Sequence, residues 1–247
     1  MFFLFKSFRM LYLQKSNSMK KAFLILSFLA FQYMYSQPQA MYNKAPYNFW
    51  INYPKDYNKE DKTPLILFLH GKSLSGNDLN RVKRYGIMKG IEKGLDIPAI
   101  VIAPQLPNGP WDAHKLNELI EYVSKEHNID ESRIYVTGMS LGSYGTTRFV
   151  GEFPDKIAAA VSICGGGVES DACNLSEVPL KIIHGDKDFI VPLSESKKIV
   201  NAIKKCKSDA PVEFEIVKGG NHGSVEDIYR HQEIYDWLLK HQKETKL

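Results

Sequence analysis

Ser140 is framed by glycine in Gly138-Met139-Ser140-Leu141-Gly142, a spacing that suits a serine on a sharp strand-to-helix turn. Side chains at the flanking positions would crowd such a turn, and the turn lifts the serine hydroxyl clear of its surroundings. A serine attacks a carbonyl only when a base takes its proton and a carboxylate holds that base. His222, in KGGNHGS, and Asp188, in HGDKDFIVP, are the candidates for those two roles. Asp186 competes on the same loop, but a reach toward the histidine favours the residue further along, leaving Asp186 as a turn-former. His70 and His184 are followed by glycine at strand ends, and His114, His127, His231 and His241 fall on helices or the tail, so all six are weaker bases. The competing reading of Ser140 is a helix-capping serine in a glycine-rich turn.

An oxyanion formed at such a serine needs N–H donors. The amide of Leu141 would lie at a helix N-terminus, where an unpaired N–H and the helix dipole favour negative charge. A second donor is expected from His70-Gly71-Lys72-Ser73-Leu74-Ser75-Gly76, with the Lys72 amide as the choice. Trp111, in Pro110-Trp111-Asp112, and Met139 are candidate substrate-wall residues, with simple packing the competing reading for the tryptophan. Other motifs fail on their spacing. A phosphate loop through Gly71-Lys72-Ser73 would need glycine where Ile66 stands, and a dinucleotide fingerprint would need glycine in place of Ser140. Without HExxH, paired CxxC or an EF-hand loop, no metal and no cofactor are expected.

These residues require strands to carry them to one edge. Short apolar runs at 65–69, 99–103, 133–137, 157–163, 180–184 and 212–217 predict strands buried in a parallel sheet, preceded by an alternating strand at 47–53. Helical patterns lie between or after them at about 79–93, 113–127, 140–152, 194–206 and 224–240. Strands alternating with helices predict an α/β domain: a mostly parallel sheet of about seven to eight strands, helices on both faces and no large lid. Ser140, Asp188 and His222 then all follow strand ends.

The formal net charge is +4, but residues 1–36 hold five bases and no acid. The remainder carries 27 bases against 28 acids, or −1, which gives no general attraction to nucleic acid. Lys20 and Lys21 precede the apolar run AFLILSFLAF, a pattern for a secretory signal peptide cleaved near Ser36, with 1–18 as an upstream extension. That run is about half the length a membrane span needs, so no stable span is expected after cleavage. Residues 37–247 would be the catalytic domain, periplasmic or extracellular. In oxidising surroundings Cys164 and Cys173 are the expected pair, with three reduced thiols as the equal alternative.

FLHGKSLSGND, VTGMSLGSYGT, HGDKDFIVP and GGNHGSV, in this order, resemble the motifs of the exported bacterial α/β-hydrolases. The resemblance is to the lidless group of carboxylesterases, feruloyl and polyhydroxyalkanoate-type esterases and prolyl-oligopeptidase-like serine hydrolases. Many members have HGxGxxG in the first loop, whereas here Ser73 takes the second glycine position. The resemblance implies acyl transfer through Ser140, His222 and Asp188 on a small-molecule or polymer-linked ester. A serine peptidase and a non-catalytic binding protein of the same fold are the alternative expectations.

Overall fold

The computed structural model describes residues 37–243. The expected signal peptide at 1–36 lies outside the described residues. Eight strands form one sheet in the order β1-β2-β4-β3-β5-β6-β7-β8. They are β1 (Gln39–Met41), β2 (Phe49–Asn52), β3 (Thr63–Leu69), β4 (Ile100–Pro104), β5 (Ile129–Met139), β6 (Ala159–Ile163), β7 (Leu180–Gly185) and β8 (Val212–Val217). β1 and β2 join antiparallel at one edge, and every other pairing is parallel. The α/β-hydrolase architecture expected from the sequence is therefore present, and no insertion large enough to form a lid interrupts the described residues.

β3, β4 and β6 are buried along their whole length, as their unbroken apolar runs require of strands covered on both faces. Ile66 and Phe68 of β3 pack in one layer with Ile87 and Met88 of α1 (Ile87–Glu92) and Trp237 and Leu238 of α6 (Glu233–Leu239). The alternate residues Leu65, Leu67 and Leu69 point to the other face. That face carries α2 (Ala113–Glu126), α3 (Leu141–Glu152), the short α4 (Ala172–Leu175) and α5 (Leu193–Cys206).

Several expectations are corrected. The helix expected at 79–93 is a 3-10 segment, Leu79–Lys83, followed by α1, because Gly86 at φ +75° breaks it. A side chain at Gly86 would also meet the Phe68 ring at 2.2 Å. The helix expected at 224–240 begins as a 3-10 segment, Val225–Arg230, whose three-residue repeat puts Glu226 and Tyr229 together on the buried side. β8 is an edge strand with Glu213, Glu215 and Ile216 exposed, so VEFEIV is not a doubly buried run. β1 is too short to show a pattern.

The cysteine expectation is also corrected: the disulfide joins Cys173 to Cys206, with Cα atoms 5.2 Å apart, and Cys164 is free and buried. α4 packs on α5 and brings Cys173 to the end of the longer helix. Cys164 directly follows β6, with its thiol within 4.8 Å of the Asp188 and His222 groups.

The turn from β5 into α3 is the tightest point of the fold. A Cβ on Gly142 would lie 1.8 Å from the Leu69 carbonyl oxygen, so α3 starts directly against the end of β3. Gly142→Ala is expected to lower unfolding free energy by more than about 3 kcal/mol, because backbone rather than a flexible side chain must move. Denaturant unfolding checks this, and wild-type stability would contradict the close approach.

Candidate active site

Ser140 caps α3 at φ 58°, ψ −120°, a conformation that side chains rarely adopt and that costs about 1–3 kcal/mol. Its own N–H donates to Ile163 O at 2.9 Å, which ties the turn to β6. The amide of Leu141 follows at the first position of α3, and no protein acceptor is found for it among the described residues. The same holds for the amide of Lys72, which opens the 3-10 turn after β3. Gly71 brings that turn close, for a Cβ there would be 3.3 Å from Ser140 Cβ.

The turn after β3 is held from three sides. His70 donates through Nδ1 to Gly71 O at 2.8 Å and accepts at Nε2 from Leu106 N at 3.0 Å. Arg81 donates to Ser73 O at 2.8 Å, and Gln105 to Leu74 O at 2.7 Å. Burial pushes the His70 imidazole down to about 4, so the ring is neutral and its tautomer fixed. Between pH 6.5 and 4 the unfolded chain therefore binds a proton that the folded chain refuses. Stability should fall as pH drops through 6.5 and stop falling on this account below about 4, a loss of at most about 3 kcal/mol. Urea unfolding at pH 7.5, 6 and 5 should show this slope in the wild type and a flatter one in His70→Gln. Equal slopes would contradict a neutral buried imidazole.

Asp188 follows β7, with its side chain fully buried and its Oδ2 2.7 Å from His222 Nδ1. Its Oδ1 accepts from Ile190 N and Val191 N, both at 2.9 Å. Burial alone would raise this carboxyl, but the bonds from His222, Val191 and Ile190 outweigh it and hold the group below the usual carboxylate range. A carboxylate only accepts, so His222 Nδ1 carries the proton and Nε2 is left to accept. His184 Nε2 lies 3.4 Å from the same Oδ2 and 2.9 Å from Val191 O, so a second imidazole braces the aspartate loop from beneath.

Asp186 does different work: its Oδ1 accepts from Gly219 N at 2.7 Å and anchors the turn that leads to His222. Asn221 then fixes that turn, accepting from Gly223 N and Ser224 N at 3.0 and 2.9 Å. The Cys164 thiol lies within 4.8 Å of the Asp188 and His222 groups. Burial, reinforced by Asp188, pushes it up to about 12, so it stays a protonated thiol.

Ser140 and His222 open into one hollow of about 280 Å³, floored by Gly71, Lys72 and Ser73 and walled by Met139, Ile190 and Tyr85. Glu226 closes its inner side, accepting from Gly86 N and from Arg230 at 2.9 Å. The Tyr85 hydroxyl bonds to Ser73 Oγ, and burial raises its phenol above the ordinary value, so it stays protonated.

Residues 111–241, which hold the serine turn, the aspartate and the histidine, match the family model described as phospholipase/carboxylesterase. The chain belongs to the phospholipase/carboxylesterase family. Among relatives of this family member, a probable feruloyl esterase C of Aspergillus terreus is 28% identical over 159 residues, covering 61% of this chain and 58% of that protein. The poly(3-hydroxyalkanoate) depolymerase C of Paucimonas lemoignei is 36% identical over 61 residues, 25% of this chain and 15% of that one. The chain thus spans between 15% and 58% of the length of these two relatives. A solved thermostable esterase superposes with a TM-score of 0.70 at 29% identity, over 85% of this chain and 64% of that one.

In this family member Trp111 lies outside the Ser140 hollow. Its ring is buried against Tyr47 and His70, with centroids 5.5 and 5.0 Å away, and its N–H donates to His70 O at 3.2 Å. A Cβ on Gly145 would strike it at 2.7 Å, so the tryptophan seats α3 and also touches His70. Met139, by contrast, lines the hollow. Tyr85 and Glu226 were not legible as site residues, since neither belongs to a motif, and Ile190 lies within HGDKDFIVP without being singled out there.

Proposed function

We propose that the protein is an exported serine esterase that cleaves carboxylic esters through an acyl-enzyme on Ser140. The observation that carries this reading is the 2.7 Å bond from His222 Nδ1–H to the buried Asp188 carboxylate, in the hollow onto which the strained Ser140 opens. In this mechanism His222 Nε2 takes the Ser140 proton as Oγ adds to the ester carbonyl. The amides of Leu141 and Lys72 receive the oxyanion, and Asp188 stabilises the imidazolium. The imidazolium then protonates the departing alkoxide, leaving an acyl-serine. A water, deprotonated by the same nitrogen, adds to the acyl carbon, and the carboxylic acid leaves as Ser140 recovers its proton.

Family membership and relatives described as esterases support an ester over an amide, as does the poorer amine leaving group of a peptide. Export is supported by the Cys173–Cys206 disulfide, which suits an oxidising compartment, and by the charged and apolar pattern of residues 1–36. No helix among the described residues is long and apolar enough to cross a membrane. Hydrolysis of p-nitrophenyl esters from acetate to decanoate tests the reading. Turnover of at least part of the series is expected, and a folded protein that cleaves none would overturn it.

A further inference from the structure

Phe189 and Ile190 are 87% and 73% exposed, the two most exposed large hydrophobic residues among those described. They directly follow Asp188, on a segment that is tied from within. Asp188 Oδ1 takes the amides of Ile190 and Val191, and His184 Nε2 lies 2.9 Å from Val191 O. These bonds use the main chain of 190 and 191, so the turn places no demand for apolar side chains at 189 or 190. Polar residues would hold the same turn and be better hydrated. A large apolar side chain fixed in water gains free energy only when something covers it. Ile190 also lines the Ser140 hollow, so the exposed pair is continuous with the site.

We infer that Phe189 and Ile190 form an apolar lip that binds an alkyl or aryl part of the ester projecting beyond the hollow. The inference rests on the ester reading above and narrows its substrate class to esters with an extended apolar group on the acyl or the alcohol side. The lip adds affinity without touching the reacting atoms, so it acts on KM more than on kcat.

The test uses the full chain and the variants Phe189→Ser and Phe189→Leu. kcat and KM are measured on p-nitrophenyl acetate against decanoate for the acyl side, and on methyl against naphthyl acetate for the alcohol side. In Phe189→Ser the ratio of kcat/KM, extended ester to short, should fall about tenfold in one of the two series, through KM. Tenfold is about 1.4 kcal/mol, the value of covering about 55 Å² of apolar surface. Phe189→Leu should restore most of the ratio, because it keeps an apolar surface. Unchanged ratios in both series would overturn the lip, as would an equal loss on all four esters. A wild-type protein that cleaves none of the four would instead overturn the ester reading, and the lip with it.

Discussion

Ser140→Ala should lower kcat for ester hydrolysis by about 10⁴-fold or more while KM changes little. In the proposed mechanism this hydroxyl forms the acyl-enzyme, so its removal leaves no covalent route. The amides of Leu141 and Lys72 remain, and they sustain a small residual rate over water. Alanine keeps the Cβ and leaves the Ser140 N–H bond to Ile163 O intact, so the turn should persist. Thermal unfolding within about 3 °C of wild type would confirm that the loss is chemical. A variant that keeps more than about a tenth of the wild-type kcat would place the nucleophile elsewhere.

Asp188→Asn should cost about 10⁴ in kcat, for a different reason. Asn Oδ1 can still accept from the amides of Ile190 and Val191, but its NH₂ then faces His222 Nδ1–H, donor against donor. The imidazole must move its proton to Nε2, where it can no longer accept from Ser140. Asp186→Asn is the control, since the amide oxygen can still accept from Gly219 N and the residue does not face His222. Its kcat should stay within about tenfold of wild type. Equal losses in the two asparagine variants would mean that the loop, and not the Asp188 carboxylate, is what matters. Because the Asp188 carboxyl is held below its ordinary value, its contribution to stability is present above about pH 4 and is lost as pH falls further.

The parts of the site that lie within one stretch of chain were legible in the sequence. Gly138, Ser140 and Gly142 belong to one turn, and the two glycines follow from the contact of α3 with the end of β3. Asp188 follows the apolar run of β7, and His222 follows β8, whose residues alternate with glutamate, and the ends of both strands mark the sheet edge. The groups that were missed depend on distant elements meeting. Tyr85, immediately before the break at Gly86, joins Ser73 of the turn after β3, and Glu226 reaches back to that glycine from the far end of the chain. No local pattern encodes either contact.

The two readings of Trp111 stay open in the sequence for a related reason: a tryptophan after a strand end reads alike whether it faces a ligand or a glycine of the next helix. The buried Gly145 below it is visible only in three dimensions. The disulfide was misassigned because closeness in sequence favoured Cys164 and Cys173, whereas helix packing brings Cys173 to Cys206. The helix break at Gly86 stands where the buried Phe68 ring needs room.

The most direct test of the central claim is reaction of the folded protein with a fluorophosphonate, followed by peptide mapping. The mechanism requires one phosphonyl group, on Ser140, with labelling abolished in Ser140→Ala and strongly slowed in Asp188→Asn. A folded protein that takes no label, or takes it on any residue but Ser140, would contradict the account.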